Sequence, residues 1–160
     1  MVQLPPVKLI KDVLDGMLGR EVATQPGNPL TSVDAIGGVL AIYVDDGDVM
    51  RAVAGWDLPA AANVGAAVGL VPAGAAEDAI EERYLPENLL DNITEVSNVL
   101  ASVFQIRGNP HLRLYEAHRP VAAAPNDATE LLYRLGQRID LDIDVPGYGK
   151  GKLAISMSFF

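Results

Sequence analysis

Apolar residues at Val7, Ile10, Leu14, Met17 and Leu18 recur at helical spacing. With prolines at 5 and 6 to open the element, they predict a first helix over Val7 to Val22. The breaker-rich run Gln25-Pro26-Gly27-Asn28-Pro29 ends it. Two apolar runs, Ala35 to Val44 and Val49 to Trp56, then flank Asp45-Asp46-Gly47-Asp48, whose Asp-Gly pair is a strong turn signal, so a β-hairpin is expected. Leu58 to Leu70 is alanine-rich and reads as a helix weakened by Gly65 and Gly69. After Val71-Pro72-Ala73-Gly74, a short helical segment from Ala75 to Arg83 precedes a longer helix opened by Pro86 and closed by Gly108-Asn109-Pro110. His111 to Glu116 alternates as a strand does, and Asn126-Asp127 with Glu130 marks a short helix reaching Gln137. Finally Ile139, Leu141, Ile143 and Val145 alternate with Asp140, Asp142 and Asp144, and Leu153, Ile155 and Met157 alternate with small and polar residues. This predicts a second antiparallel hairpin with one wet face. Paired strands separated by helices define an α+β class with an antiparallel sheet and flanking helices.

The most informative element is the helix after Pro86. At about 100° per residue, Asp91, Glu95, Asn98 and Ser102 fall within roughly 60° of one another. Leu89, Ile93, Val96, Leu100, Val103 and Phe104 gather on the opposite side, as on a helix with one buried face. The polar stripe therefore points away from the core. It can offer carboxylates and a carboxamide to another protein but cannot build a dry pocket.

Composition narrows the partners. The 160 residues make one domain, 1–160, the default, and 49% hydrophobic with 21% charged residues is the balance of a soluble globular protein. A formal net charge of −9 argues against nucleic acid, which needs a concentrated Lys/Arg surface. With no cysteine there are no disulfides, thiolate nucleophiles or sulfur-held metals. The N-terminal stretch lacks a basic region followed by an apolar run, and no stretch reaches the ~20 apolar residues of a membrane span. A cytoplasmic protein without membrane insertion is expected.

The constellation Asp91-x-x-x-Glu95-x-x-Asn98, followed by Pro120, resembles the signature of the CheC/CheX/FliY family of chemotaxis phosphatases. In that family an acidic or serine residue, a Glu and an Asn take this spacing on an exposed helix, with a proline beyond it. The order of elements around the motif also resembles a CheX-like domain across most of the chain. Asn98 and Pro120 have 21 residues between them, one fewer than is usual, and Ala101-Ser102 stands where the family commonly has Ala-Gly. The resemblance implies hydrolysis of the phosphoaspartate of a phosphorylated response-regulator receiver domain, typically CheY. The acyl phosphate is already reactive and Mg²⁺ belongs to the receiver, so the phosphatase needs no cofactor of its own. It has to place a water. By the family's logic Asn98 orients that water in line with phosphorus, and Glu95 pairs with a receiver lysine. Asp91, with Ser102 on the same stripe, takes a weaker docking role. One motif per chain resembles CheX, which implies a homodimer, rather than the two-motif arrangement of CheC.

Rival readings remain open in the residues. The same stripe could serve a non-catalytic module that binds a receiver or joins a flagellar-switch assembly. His111, Glu116 and His118 invite a metal site, but their spacing on a strand and loop does not bring three side chains together. Asp140, Asp142 and Asp144 invite calcium, yet the sixth loop position is not Gly, and Gly151 stands where a bidentate Glu is required. Gly147-Tyr148-Gly149-Lys150-Gly151-Lys152 has the wrong spacing for a phosphate-binding loop and reads as a turn. Trp56 and the terminal Phe159-Phe160 fit an interface as well as a buried Trp and a frayed end. Arg83, Arg107 and Arg113 are candidates for local attraction of an acidic partner. A small-molecule enzyme has little support without a nucleophile, metal cluster or cofactor fingerprint.

Overall fold

A computed structural model describes residues 3–158; the Phe159-Phe160 pair lies outside the described residues. Its centre is one six-stranded, wholly antiparallel sheet. In chain order the elements are α1 (Val7–Leu18), β1 (Ala23–Pro26), β2 (Val39–Val44), β3 (Met50–Trp56), α2 (Leu58–Val68), α3 (Ala73–Glu82) and α4 (Glu87–Leu100). They continue with a 3-10 turn over Ala101–Phe104, β4 (Arg113–His118), a 3-10 turn over Val121–Ala123, α5 (Asn126–Tyr133), β5 (Arg138–Val145) and β6 (Gly149–Met157). The sheet order is β1-β5-β6-β3-β2-β4.

Both faces of the sheet are covered. On one, Tyr43, Ala54, Trp56, Leu141 and Ile155 meet Ile10 and Leu14 of α1, Val64 of α2 and Leu89, Ile93, Val96 and Leu100 of α4. On the other, Leu40, Ile42, Val53 and Ala154 meet Ala128, Leu131 and Leu132 of α5 together with Leu30 and Val121. This explains why all six residues of β2 are buried, a continuous apolar run rather than an alternating one.

Several boundaries differ from the sequence expectation. The first helix stops at Leu18 because Gly19 adopts a left-handed conformation, φ 66°, and returns its N–H to the Asp15 carbonyl. The Asp15 carboxylate then accepts the Val22 N–H at 2.7 Å and the Lys11 ammonium at 2.8 Å, turning the chain into β1. That strand runs into the start of the breaker-rich stretch. It is a four-residue edge strand, and Pro26 is tolerated at its end, beside β5. The motif helix leaves α-helical geometry at Leu100, earlier than the Gly108 stop, and finishes as the 3-10 turn. The fifth helix ends at Tyr133 rather than Gln137.

The expected wet face of the last hairpin is only partly wet. Asp140 is clamped by Arg138, Nε to Oδ2 at 2.7 Å and Nη2 to Oδ1 at 2.9 Å, and it accepts the Leu30 N–H at 2.9 Å. The segment after β1 crosses this point, with Gly27 N–H bonded to the Asp140 carbonyl, and covers the acid. Asp142 pairs with Lys152 at 3.2 Å. The β2–β3 turn is held by Asp45, whose carboxylate accepts the N–H groups of Gly47 and Val49 and the Arg51 guanidinium. Among the described residues no helix is long and apolar enough to cross a membrane.

Candidate functional site

The polar stripe lies where the helical wheel puts it. Asp91, Glu95 and Asn98 are exposed on α4, and Ser102 is exposed on the 3-10 turn that follows. None of these four side chains takes part in a hydrogen bond or ion pair with another described residue. The opposite ridge of Leu89, Ile93, Val96, Leu100, Val103 and Phe104 is buried. The stripe therefore offers one carboxamide, two carboxylates and a hydroxyl to whatever meets this surface.

The helix behind the stripe is held at three places. Ser97, between Val96 and Asn98, is fully buried: its Oγ accepts the Trp56 indole N–H at 3.0 Å, and its carbonyl accepts the Tyr43 hydroxyl at 2.6 Å. Burial holds the Tyr43 hydroxyl far above its ordinary pKa, against the smaller pull of its bond to Ser97, so it stays a donor at working pH. The Tyr43 and Phe104 rings also pack, with centroids 4.8 Å apart. One turn back, Asn92 donates its amide to the Gly65 carbonyl of α2 at 2.8 Å. The two helices approach this closely because Gly65 has no β-carbon: one there would lie 2.9 Å from the Leu89 carbonyl oxygen. At the helix start, Arg119 bonds the Glu87 carboxylate at 2.9 Å, reaches the Leu85 carbonyl, and lies 4.9 Å over the Tyr84 ring. Its successor is Pro120, joined by a cis peptide bond and lining a shallow cleft of about 560 Å³ with Arg83, Ile36, Thr129 and Tyr133.

The surface around the stripe is acidic. Between them α3 and α4 carry Glu77, Asp78, Glu81, Glu82, Glu87, Asp91 and Glu95 and no Lys or Arg. All seven are exposed. Arg113 is committed to Asp48 at the hairpin tip, whereas Arg83 and Arg107 are exposed.

The other candidates separate. His111 pairs with Asp46 at 3.2 Å, while His118 lies 3.2 Å from Glu116 at the far end of β4. Among the described residues no three His, Cys, Asp or Glu side chains come together as metal ligands would. Lys150, Gly151 and Lys152 lie in β6 rather than in a loop. Gly151 allows β6 to pass the start of α2, where a β-carbon would be 2.4 Å from the Ala60 nitrogen.

Ser97, Asn92 and Arg119 were not singled out by sequence reasoning. Ser97 had a signal: on the wheel it falls about 40° from Ile93, a polar residue inside the apolar sector. Trp56 is a buried donor to that serine.

The architecture defines an α+β class, an antiparallel sheet with four helices on one face and α5 on the other. The chain has the fold of the CheC/CheX/FliY proteins, a fold shared with FliM. A chain of the CheX–CheY–BeF3–Mg²⁺ complex from Borrelia burgdorferi superposes with TM-score 0.58 at 18% identity, over 96% of this chain and 95% of that one. Thermotoga maritima FliY gives 0.59 at 13%, over 93% and 82%. A chain of the FliM–SpeE complex from H. pylori gives 0.63 at 7%, over 94% and 80%. The sequence itself matches no protein-family model and no curated protein.

Proposed function

We propose that this protein hydrolyses the phosphoaspartate of a response-regulator receiver domain, using the outer face of α4. The observation that carries the reading is the pair Glu95 and Asn98, exposed and without internal partners on a helix held from behind by Ser97 and Asn92. The fold likeness to a chain solved with CheY, BeF3 and Mg²⁺ supports it. In the reaction, water adds to phosphorus as the bond to the receiver's aspartate oxygen breaks, releasing inorganic phosphate and the free carboxylate. Asn98 holds that water through its amide, one N–H or C=O contact that fixes direction without taking a proton. Glu95 pairs with a receiver lysine, so docking draws that cation away from the phosphoryl group. Asp91 and Ser102 border the contact. Mg²⁺ is the receiver's, and two copies of the chain, each with one stripe, form the working unit.

A second reading, a non-catalytic module that joins a switch-type assembly, draws on the equally good fold likeness to a chain of a FliG–FliM complex, with TM-score 0.59. The two part on one experiment. Phosphoaspartate decay is followed on purified receivers with wild-type protein and with Asn98→Ala. The phosphatase accelerates decay, and the variant loses about 100-fold or more of that acceleration while still binding. If receivers bind yet decay at their intrinsic rate, the module reading replaces it.

A further inference from the structure

We propose that Ser97 is a positioning residue for Asn98, acting through the buried bond of its hydroxyl to Trp56, beside the bond its backbone carbonyl takes from Tyr43. This rests on the phosphatase reading above and adds to it a residue that no partner can touch. Ser97 is 0% exposed and receives two donors from two different strands, Trp56 at the end of β3 and Tyr43 in β2. Asn92 is the second pin, tied to α2. On the helical wheel Ser97 and Asn92 lie about 140° apart, and Asn98 lies about 100° from the first and about 120° from the second. Rolling α4 in either direction therefore breaks one of the pins. Asn98 points out of the open side of this three-way arrangement.

The sensitivity follows from geometry. A functional atom carried roughly 6 Å from the helix axis moves about 1 Å for a roll of about 10°. A misplacement of about 1 Å is enough to cost about 100-fold when the task is to hold a water in line. Glu95, by contrast, meets its partner as a charge, and charge attraction falls off slowly with distance. Loss of the Ser97 pin should therefore appear in turnover and not in docking.

Ser97→Ala and Trp56→Phe remove the pair's acceptor and its donor. Both are assayed for receiver dephosphorylation beside wild type, Asn98→Ala and Ile155→Val, a core change that lowers stability elsewhere in the same apolar cluster. We expect kcat to fall about 10-fold or more in the two pin variants, with KM for the phosphorylated receiver within about 3-fold of wild type. Ile155→Val should keep the kcat of wild type per folded molecule. If the pin variants keep wild-type kcat while Asn98→Ala loses it, the positioning role is overturned and the phosphatase reading stands. If kcat falls equally in Ile155→Val, the effect is general loosening and the inference fails. If wild type accelerates decay of no receiver, the phosphatase reading fails and takes the positioning role with it.

Discussion

The Trp56 indole donates to the Ser97 hydroxyl at 3.0 Å, and both residues are completely buried. This single bond joins the last residue of β3 to the last turn of the motif helix, one position before Asn98. Neither group has water to fall back on, so the two are mutually dependent. Ser97→Ala leaves a buried indole N–H without an acceptor, and such a group costs about 1–3 kcal/mol. Urea unfolding followed by fluorescence of Trp56, the chain's one tryptophan, should register that loss as a lower midpoint with an unchanged slope. A midpoint equal to wild type would mean that the indole finds another acceptor.

The α2–α4 contact makes a second prediction. Gly65→Ala adds a β-carbon 2.9 Å from the Leu89 carbonyl oxygen, and the atom in the way is backbone rather than a flexible side chain. Alanine favours the helix by about 1 kcal/mol over glycine. Overpacking costs about 1–3 kcal/mol and here also stretches the Asn92 bond to the Gly65 carbonyl. The net change should be a loss of about 1 kcal/mol, read by the same unfolding assay. A gain would show that the helices separate freely.

The sequence carried the parts of this structure that rest on periodicity. The buried ridge Leu89, Ile93, Val96 and Leu100 and the exposed stripe of α4 follow from a 3.6-residue period, and the Asp-Gly turn from the conformations it demands. What lay hidden depends on contacts between distant segments. β1 is a strand because β5 pairs with it, although Pro26 and the breakers after it argue for loop. Asp140 looked solvent-facing by alternation, but the chain after β1 folds over it. Arg119 is an isolated basic residue in the sequence, and only the fold brings it to the start of α4.

Glu95 tests docking separately from chemistry. It is exposed and unpaired, so Glu95→Lys should leave stability within about 0.5 kcal/mol of wild type. Binding to a phosphorylated receiver should weaken about 10-fold or more, because an attraction to a lysine becomes a repulsion. The wild-type interaction should itself weaken as salt rises, while that of the variant should weaken less. Titrations by fluorescence anisotropy at low and high salt check both points. Equal affinities for wild type and variant would remove Glu95 from the interface.

Asp57 links stability to pH. It caps α2, with Oδ1 accepting the N–H groups of Ala60 and Lys152, each at 2.9 Å. Burial pushes its carboxyl above the ordinary range, against the pull of those two donors and the Lys152 charge. A carboxyl with a raised folded pKa binds its proton more tightly in the native state. It therefore costs nothing below the unfolded pKa, and stability falls as pH rises from about 4 towards the folded value. Asn in its place keeps the accepting oxygen and carries no charge. Asp57→Asn should match wild type near pH 3, then gain on it progressively as pH rises, and hold a constant advantage once the folded pKa is passed. Asp57→Ala, by contrast, should lose about 0.5–2 kcal/mol near pH 3, because the cap itself is gone, and that deficit should shrink as pH rises because Ala escapes the same burial penalty. Urea midpoints of the three proteins between pH 3 and pH 8 decide the matter: a flat difference between wild type and Asp57→Asn would show that the carboxylate is not desolvated at the start of α2.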